Sequence, residues 1–197
     1  MTFDVHTLLT KALKLQDLSV EEGTFLYKNA PLALLQATAD SIRQHYRPDN
    51  IVSWIIDRNV NITNACISGC KFCNFHKKIT DDGIYITTIE EYDSKIEELE
   101  QLGGNQLLIQ GGMHPKLGID FYKNLFSELK HRHPNIKLHA LGPPEIAFIA
   151  KRANMTFREV LESLKESGLD SLPGAGAEIL SDRVRKFLSP GKCDVQT

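Results

Sequence analysis

The 197-residue chain has no run of about 18 consecutive apolar residues, the length a membrane-crossing helix needs, so no transmembrane helix is expected. Its opening MTFDVHTLLTKALK lacks a basic start followed by an apolar stretch, and no signal peptide is expected. There is no long basic stripe to track a phosphate backbone and no acidic tail. Instead 23 Lys and Arg are mixed with 25 Asp and Glu, for a net charge of −2. Neither nucleic acid nor a membrane is therefore expected as a partner. No low-complexity segment occurs, and no repeat beyond a shared strand–helix unit. Cysteine is scarce, four residues in all, and three of these fall within eight positions, which is not the pattern of a secreted disulfide framework. Such a cluster suits metal binding or catalysis in a reducing cytosol, so a cytoplasmic location is expected. With 42% apolar residues the chain can bury one sizeable core, and one large domain, or part of one, is the default.

Residues 1–49 read as a helical segment. SVEE (Ser19 to Glu22) is a capping box, and PLALLQATADSIRQHYRP opens on Pro31 and stops at Pro48, with Leu32, Leu35, Ala39 and Ile42 at helical spacing. From residue 50 the rhythm changes. IVSWIID (51–57), NQLLIQGG (105–112), IKLHALG (136–142) and LDSLPGAGAE (169–178) read as strands. Helical stretches end at Gly103 and Pro134, and a third runs from the capping box Thr156 to Glu159 to Gly168. Strands alternating with helices of about 10–15 residues predict βαβ units and a parallel sheet, an α/β fold with about four βα units in residues 50–197. Each strand runs into an unusual loop: the cysteine loop, then QGGMHP, LGPPE and PGAGAE. Ligands of parallel α/β folds sit at the carboxyl ends of the strands, so the four loops point to one shared site.

Cys66, Cys70 and Cys73 are spaced C-x3-C-x2-C in NACISGCKFCNFHK. A structural zinc site wants four protein ligands, and His76 three residues on would complete a Cys3His set. Three idle cysteines on one loop are the bland alternative. Thiolates also hold a 4Fe-4S cube, usually four of them; three leave one iron open to a small ligand. Cys193 is too distant in sequence to be assigned as a fourth ligand.

The C-x3-C-x2-C loop after a first strand, with glycine-rich loops after the next, resembles the radical S-adenosylmethionine superfamily. DRNVNITNACISGCKFCNF, LLIQGGMHP, LHALGPPEI and GLDSLPGAGAEILSDRVRKFLSPGKC narrow the likeness to the dehypoxanthine futalosine cyclase family of menaquinone biosynthesis. The aminofutalosine and deazaflavin synthases share the cysteine loop. The resemblance implies a TIM-like (β/α) barrel behind an N-terminal helical layer. It also implies a 4Fe-4S cluster on Cys66, Cys70 and Cys73, with S-adenosylmethionine on its open iron. A one-electron reductant such as flavodoxin or ferredoxin then starts the cyclisation of dehypoxanthine futalosine through a 5′-deoxyadenosyl radical. It assigns Phe72, Gln110, Gly111, Gly112 and Glu178 to the cofactor. Gly142 and Arg183 go to the substrate, and His114 and His139 are candidates for the base that takes the ring proton. Each has an ordinary alternative: core packing for Phe72, a tight βα turn for the glycines, a first-turn helix carboxylate for Glu178, a solvated helix face for Arg183.

About six βα units would complete such a barrel, so the sequence predicts an incomplete one. Two expectations follow: a non-catalytic fragment is the rival of the enzyme, and the strand residues Leu107, Ile109 and Leu138 would face inward and lose their covering.

Overall fold

The computed structural model describes residues 3–174, 176 and 178–197. They divide into two compact units, one running to Trp54 and one from Ile55 to Thr197, a few residues beyond the expected break at 49/50.

The first unit holds α1 (Val5–Leu13), α2 (Val20–Asn29) and α3 (Leu32–Tyr46). An α-helix leaves its first N–H groups without partners, and here side chains supply them. Asp4 accepts from the Thr7 N–H at 2.8 Å, and Ser19 and Glu22 form the expected reciprocal box. Leu8, Leu9 and Leu26 make the core, with Phe25, Leu34 and Leu35 packed on it. Packing through Leu34 and Leu35 turns the expected Leu32 outward, and Leu32 is exposed.

The second unit is built on three parallel strands in the order β1 (Asp57–Asn61), β2 (Gln106–Gln110), β3 (Lys137–Ala140). The helix α4 (Ile89–Gln101) connects β1 to β2, and α5 (Ile119–Arg132) connects β2 to β3; α6 (Pro143–Ala153), α7 (Phe157–Glu166) and α8 (Asp182–Leu188) follow. Side chains alternate across the sheet. Val60, Leu107, Ile109, Leu138 and Ala140 are buried in one cluster with Tyr92, Ile96 and Leu99 of α4 and Tyr122, Phe126 and Leu129 of α5. Each large side chain so buried contributes roughly 1.5–3 kcal/mol, which makes this face the main support of the unit. The opposite face carries Asn59, Asn61, Leu108, Gln110 and His139.

Four expectations are corrected. Leu107, Ile109 and Leu138 are fully covered, because their register places them on the helix face of the sheet and leaves Leu108 and the polar residues on the other. The first strand starts at Asp57 and not at Ile51: Ile51, Val52 and Trp54 are exposed, whereas Val60 and Ile62 are both 2% exposed. The fourth strand reduces to a bridge between His139 and Ser171. Pro173 beyond it has no N–H to donate to a ladder, and Ala175 and Ala177 of that stretch lie outside the described residues. Finally, LGPPE is no plain loop. Gly142 caps α6, and Pro143 and Pro144 open its first turn, where a missing N–H costs nothing.

Candidate functional site

The thiol loop is suspended from the end of β1 by backbone bonds on both sides. Ile62 N–H donates to the Gln110 carbonyl at 2.8 Å, Gly112 N–H to Thr63 O at 2.8 Å, and Ile67 N–H to Met113 O at 3.1 Å. The loop is closed on itself by Cys66 N–H to Lys77 O at 2.9 Å and Lys77 N–H to Asn64 O at 2.8 Å. Residues 111–113, after β2, therefore lie directly against it. A Cβ on Gly112 would stand 2.7 Å from the Ala65 carbonyl carbon and 2.8 Å from Cys66 Cβ, so only glycine permits this approach.

Cys70 is buried, while Cys66 and Cys73 are half-buried. Ser68 Oγ lies 2.9 Å from Cys66 Sγ and 3.3 Å from Cys70 Sγ, and the Met113 N–H donates to Cys66 Sγ at 3.3 Å. His76 donates its Nδ1–H to the Cys73 carbonyl at 2.7 Å. Among the described residues no three His, Cys, Asp or Glu side chains converge on one point where a single ion could sit. A zinc ion draws its ligands to about 2.3 Å of such a point. Thiolates that each hold a different iron of a cluster need no common point, and three soft donors on one loop with an N–H aimed at a sulfur fit that group.

A distant segment locks the loop from its other side. Lys71 N–H donates to Leu188 O at 2.8 Å and Gly191 N–H to Ser68 O at 2.9 Å. Gly191 is pressed so close that a Cβ would lie 2.6 Å from Ser68 Cα. The buried Arg185 of α8 anchors this segment, donating to the carbonyls of Cys193 at 2.9 Å, Gly176 at 3.3 Å and Ile179 at 3.4 Å.

Between these parts, at the carboxyl ends of β2 and β3, lies a cavity of about 320 Å³. Asn61 and Gln110 line it from the strand ends, with Gly111, Leu141 and Gly142 from the turns that follow; Phe75, Glu145, Gly176, Glu178 and Lys192 complete the wall. Of the residues singled out in the sequence, Gln110, Gly111, Gly142 and Glu178 come together here, and Gly112 supports the thiol loop beside them. Four others do not line the cavity. Phe72 is 51% exposed, with its ring centroid 5.7 Å from Lys192 Nζ. His114 is buried and accepts the Lys116 N–H on Nδ1 at 3.1 Å. His139 pairs with Ser171 Oγ at 2.6 Å, and Arg183 is exposed on α8.

Sequence reasoning missed Glu145, Lys192, Phe75, Asn61 and Leu141. Glu145 had a signal, since an acid two residues into a Pro-Pro helix start lies next to a strand end. Lys192 had none, because only the folded chain brings it to the cavity. Leu141 turns the chain from β3 into α6 with a φ of 62°, a conformation a leucine adopts only when its surroundings impose it. Its N–H donates to Ile109 O at 2.9 Å, and the side chain is buried.

Electrostatically, the cavity holds two carboxylates and one ammonium. Glu178 pairs with Lys192. Burial pushes the Glu145 carboxyl above its ordinary range and nearby Glu178 adds to this, while backbone N–H groups at the start of α6 and the Lys192 charge pull the other way. Burial, with Lys116 and Arg152 nearby, holds His114 below the usual imidazole range.

Comparison with known proteins agrees with this architecture. Residues 60–197 match the family model of the radical SAM superfamily. The chain is 39% identical over 185 residues to the cyclic dehypoxanthine futalosine synthase of Halalkalibacterium halodurans, covering 94% of this chain and 50% of that protein. The enzyme of the same name from Streptomyces coelicolor is 35% identical over 193 residues, with 96% and 48% covered. A 5-amino-6-(D-ribitylamino)uracil–L-tyrosine 4-hydroxyphenyl transferase from Microcystis aeruginosa is 34% identical over 205 residues, with 100% and 54% covered. The chain thus spans about half the length of the curated relatives it matches. The crystal structures of the FeFe-hydrogenase maturase HydG and of methylornithine synthase PylB superpose with TM-scores of 0.69 and 0.64 at 18% and 17% identity. Each covers 94% of this chain; this chain covers 40% of the HydG chain and 52% of the PylB chain.

Proposed function

This chain belongs to the radical SAM superfamily, and from that premise we propose that it carries the cofactor site of a radical cyclase acting on dehypoxanthine futalosine. The observation that supports this reading is the meeting of the thiol loop with the Gly111–Gly112 turn at the strand ends, beside a cavity lined by two carboxylates and a lysine. Cys66, Cys70 and Cys73 would hold a 4Fe-4S cluster, with the Met113 N–H supporting the Cys66 sulfur. With S-adenosylmethionine beside it, such a cluster would supply one electron to the sulfonium, whose C–S bond would break to give methionine and a 5′-deoxyadenosyl radical able to take a hydrogen atom from the substrate.

The chain's own residues do the rest. Gly111 and Gly112 let backbone approach the cofactor, and Gln110 and Glu178 offer it polar contacts. Leu141 and Phe75 give the cavity an apolar wall that limits water. Cyclisation on an aromatic ring releases an electron and a proton: the oxidised cluster would take the electron, and Glu145, a cavity carboxylate with raised proton affinity, is the proton acceptor better placed than His114 or His139. A cytoplasmic flavodoxin or ferredoxin is the proposed electron donor.

Anaerobic reconstitution tests the cofactor assignment. About four irons per chain are expected, lost in Cys66→Ala, Cys70→Ala or Cys73→Ala and kept in Cys193→Ala. A colourless protein with one zinc per chain would instead support the Cys3His alternative.

A second reading is the tyrosine transferase, supported by relatives of that name at 33–36% identity over nearly the whole chain. The LIQGGMHP and HALGPPEI stretches and the 39% relative favour the cyclase. With the reduced enzyme, formation of 5′-deoxyadenosine coupled to consumption of dehypoxanthine futalosine decides for the cyclase. Coupling to L-tyrosine decides for the transferase.

A further inference from the structure

We propose that Lys192 is the carboxylate anchor of the strand-end cavity, and that its ion pair with Glu178 is the contact a ligand carboxylate displaces. The inference depends on the cofactor reading only for which carboxylates to offer it.

The Lys192 side chain is 12% exposed, and a lysine ammonium held that far from water needs a counter-charge. Glu178 supplies one, and at 32% exposure its side chain is the freer of the two. The lysine's backbone is fixed. Gly191 before it is pinned to Ser68, and the Lys192 N–H donates to Ser189 O at 3.0 Å. From that fixed point the side chain reaches the cavity wall, where the ammonium pairs with Glu178 and lies 5.7 Å from the centroid of the Phe72 ring.

Among the described residues lining the cavity, Lys192 is the one cation. The neighbouring cations are otherwise engaged. Arg185 is spent on backbone carbonyls, and Lys71 Nζ lies 3.3 Å from the centroid of the Phe187 ring. A ligand carboxylate entering a cavity with Glu145 and Glu178 meets repulsion unless it takes Lys192. Glu178, released, can then face water or a cationic group of the ligand. A compact ammonium with three donors suits such an exchange, because it does not demand the fixed fork geometry of an arginine.

Two carboxylates qualify: the methionyl carboxylate of S-adenosylmethionine and the benzoate of dehypoxanthine futalosine. The test is anaerobic equilibrium binding to the 197-residue chain. The probes are S-adenosylmethionine against its decarboxylated form, and dehypoxanthine futalosine against its carboxamide, each with the wild type, Lys192→Gln and Lys192→Arg. Lys192→Gln is expected to weaken one carboxylate-bearing probe at least tenfold while changing its carboxylate-free counterpart less than twofold. Lys192→Arg should recover part of the loss. A loss in the first pair assigns the anchor to the methionyl carboxylate, and a loss in the second to the benzoate. Equal weakening of a probe and its counterpart, no weakening in either pair, or no binding by the wild type overturns the proposal. The cofactor reading fails separately, on iron content.

Discussion

Glu145 shows how one half-buried carboxyl contributes a pH dependence to stability. Its proton affinity is raised in the folded protein, chiefly by burial. Below the ordinary carboxyl range, near pH 4, the group is protonated folded and unfolded alike and contributes nothing. As pH rises past the unfolded value, the unfolded chain releases this proton first, so stability falls until the folded group ionises too. Glu145→Gln, neutral throughout, should therefore melt higher than the wild type at pH 8 and level with it near pH 4. Melting midpoints across that range check this; a difference that is constant or larger at low pH contradicts it. The same residue marks a limit of sequence reading. Its place in GPPE was visible, but the carboxyl's chemistry depends on Glu178 and Lys192, which only the fold brings beside it.

At the scale of elements, signals between chain neighbours are legible in the sequence, and those that depend on distant partners are not. The boxes Ser19–Glu22 and Thr156–Glu159 formed as written, because a cap involves only neighbours along the chain. Ile51, Val52 and Trp54 have the composition of a strand, yet all three are exposed and the pairing begins only at Asp57. The start of α6 is ambiguous in sequence, because two prolines signal a turn as readily as a helix start. Within α8, Arg183 drew attention by resemblance, yet Arg185 is the one the structure leans on. Arg185→Leu leaves the carbonyls of Gly176, Ile179 and Cys193 without their donor and should cost about 2–4 kcal/mol. Arg183→Ala should stay within about 0.5 kcal/mol. Urea unfolding of both variants separates them, and equal midpoints would refute the assignment.

For the whole molecule, association is a matter of the sheet's edge and not of its apolar face. Its apolar side is covered, and the other side is mainly Asn59, Asn61, Gln110 and His139 with a single Leu108 between them. Among the described residues β1 has a free edge, and its Asp57, Arg58 and Asn59 are the kind of residues that blunt edge-to-edge pairing. Asn59→Val should therefore promote association. Sedimentation velocity is expected to show larger species in the variant than in the wild type at equal concentration; identical profiles would show that this edge is protected otherwise. The bonds from Lys71 to Leu188 and from Gly191 to Ser68 also carry a consequence for biosynthesis. Polypeptides grow at about 5–20 residues per second, so the thiol loop leaves the ribosome on the order of ten seconds before the segment that locks it. In that interval the Ser68 carbonyl and the Lys71 N–H have no latch to bond, and the thiol loop is held from one side alone. A nascent chain thus meets an iron donor before the latch exists, whereas a finished one meets it with the loop already held on both sides.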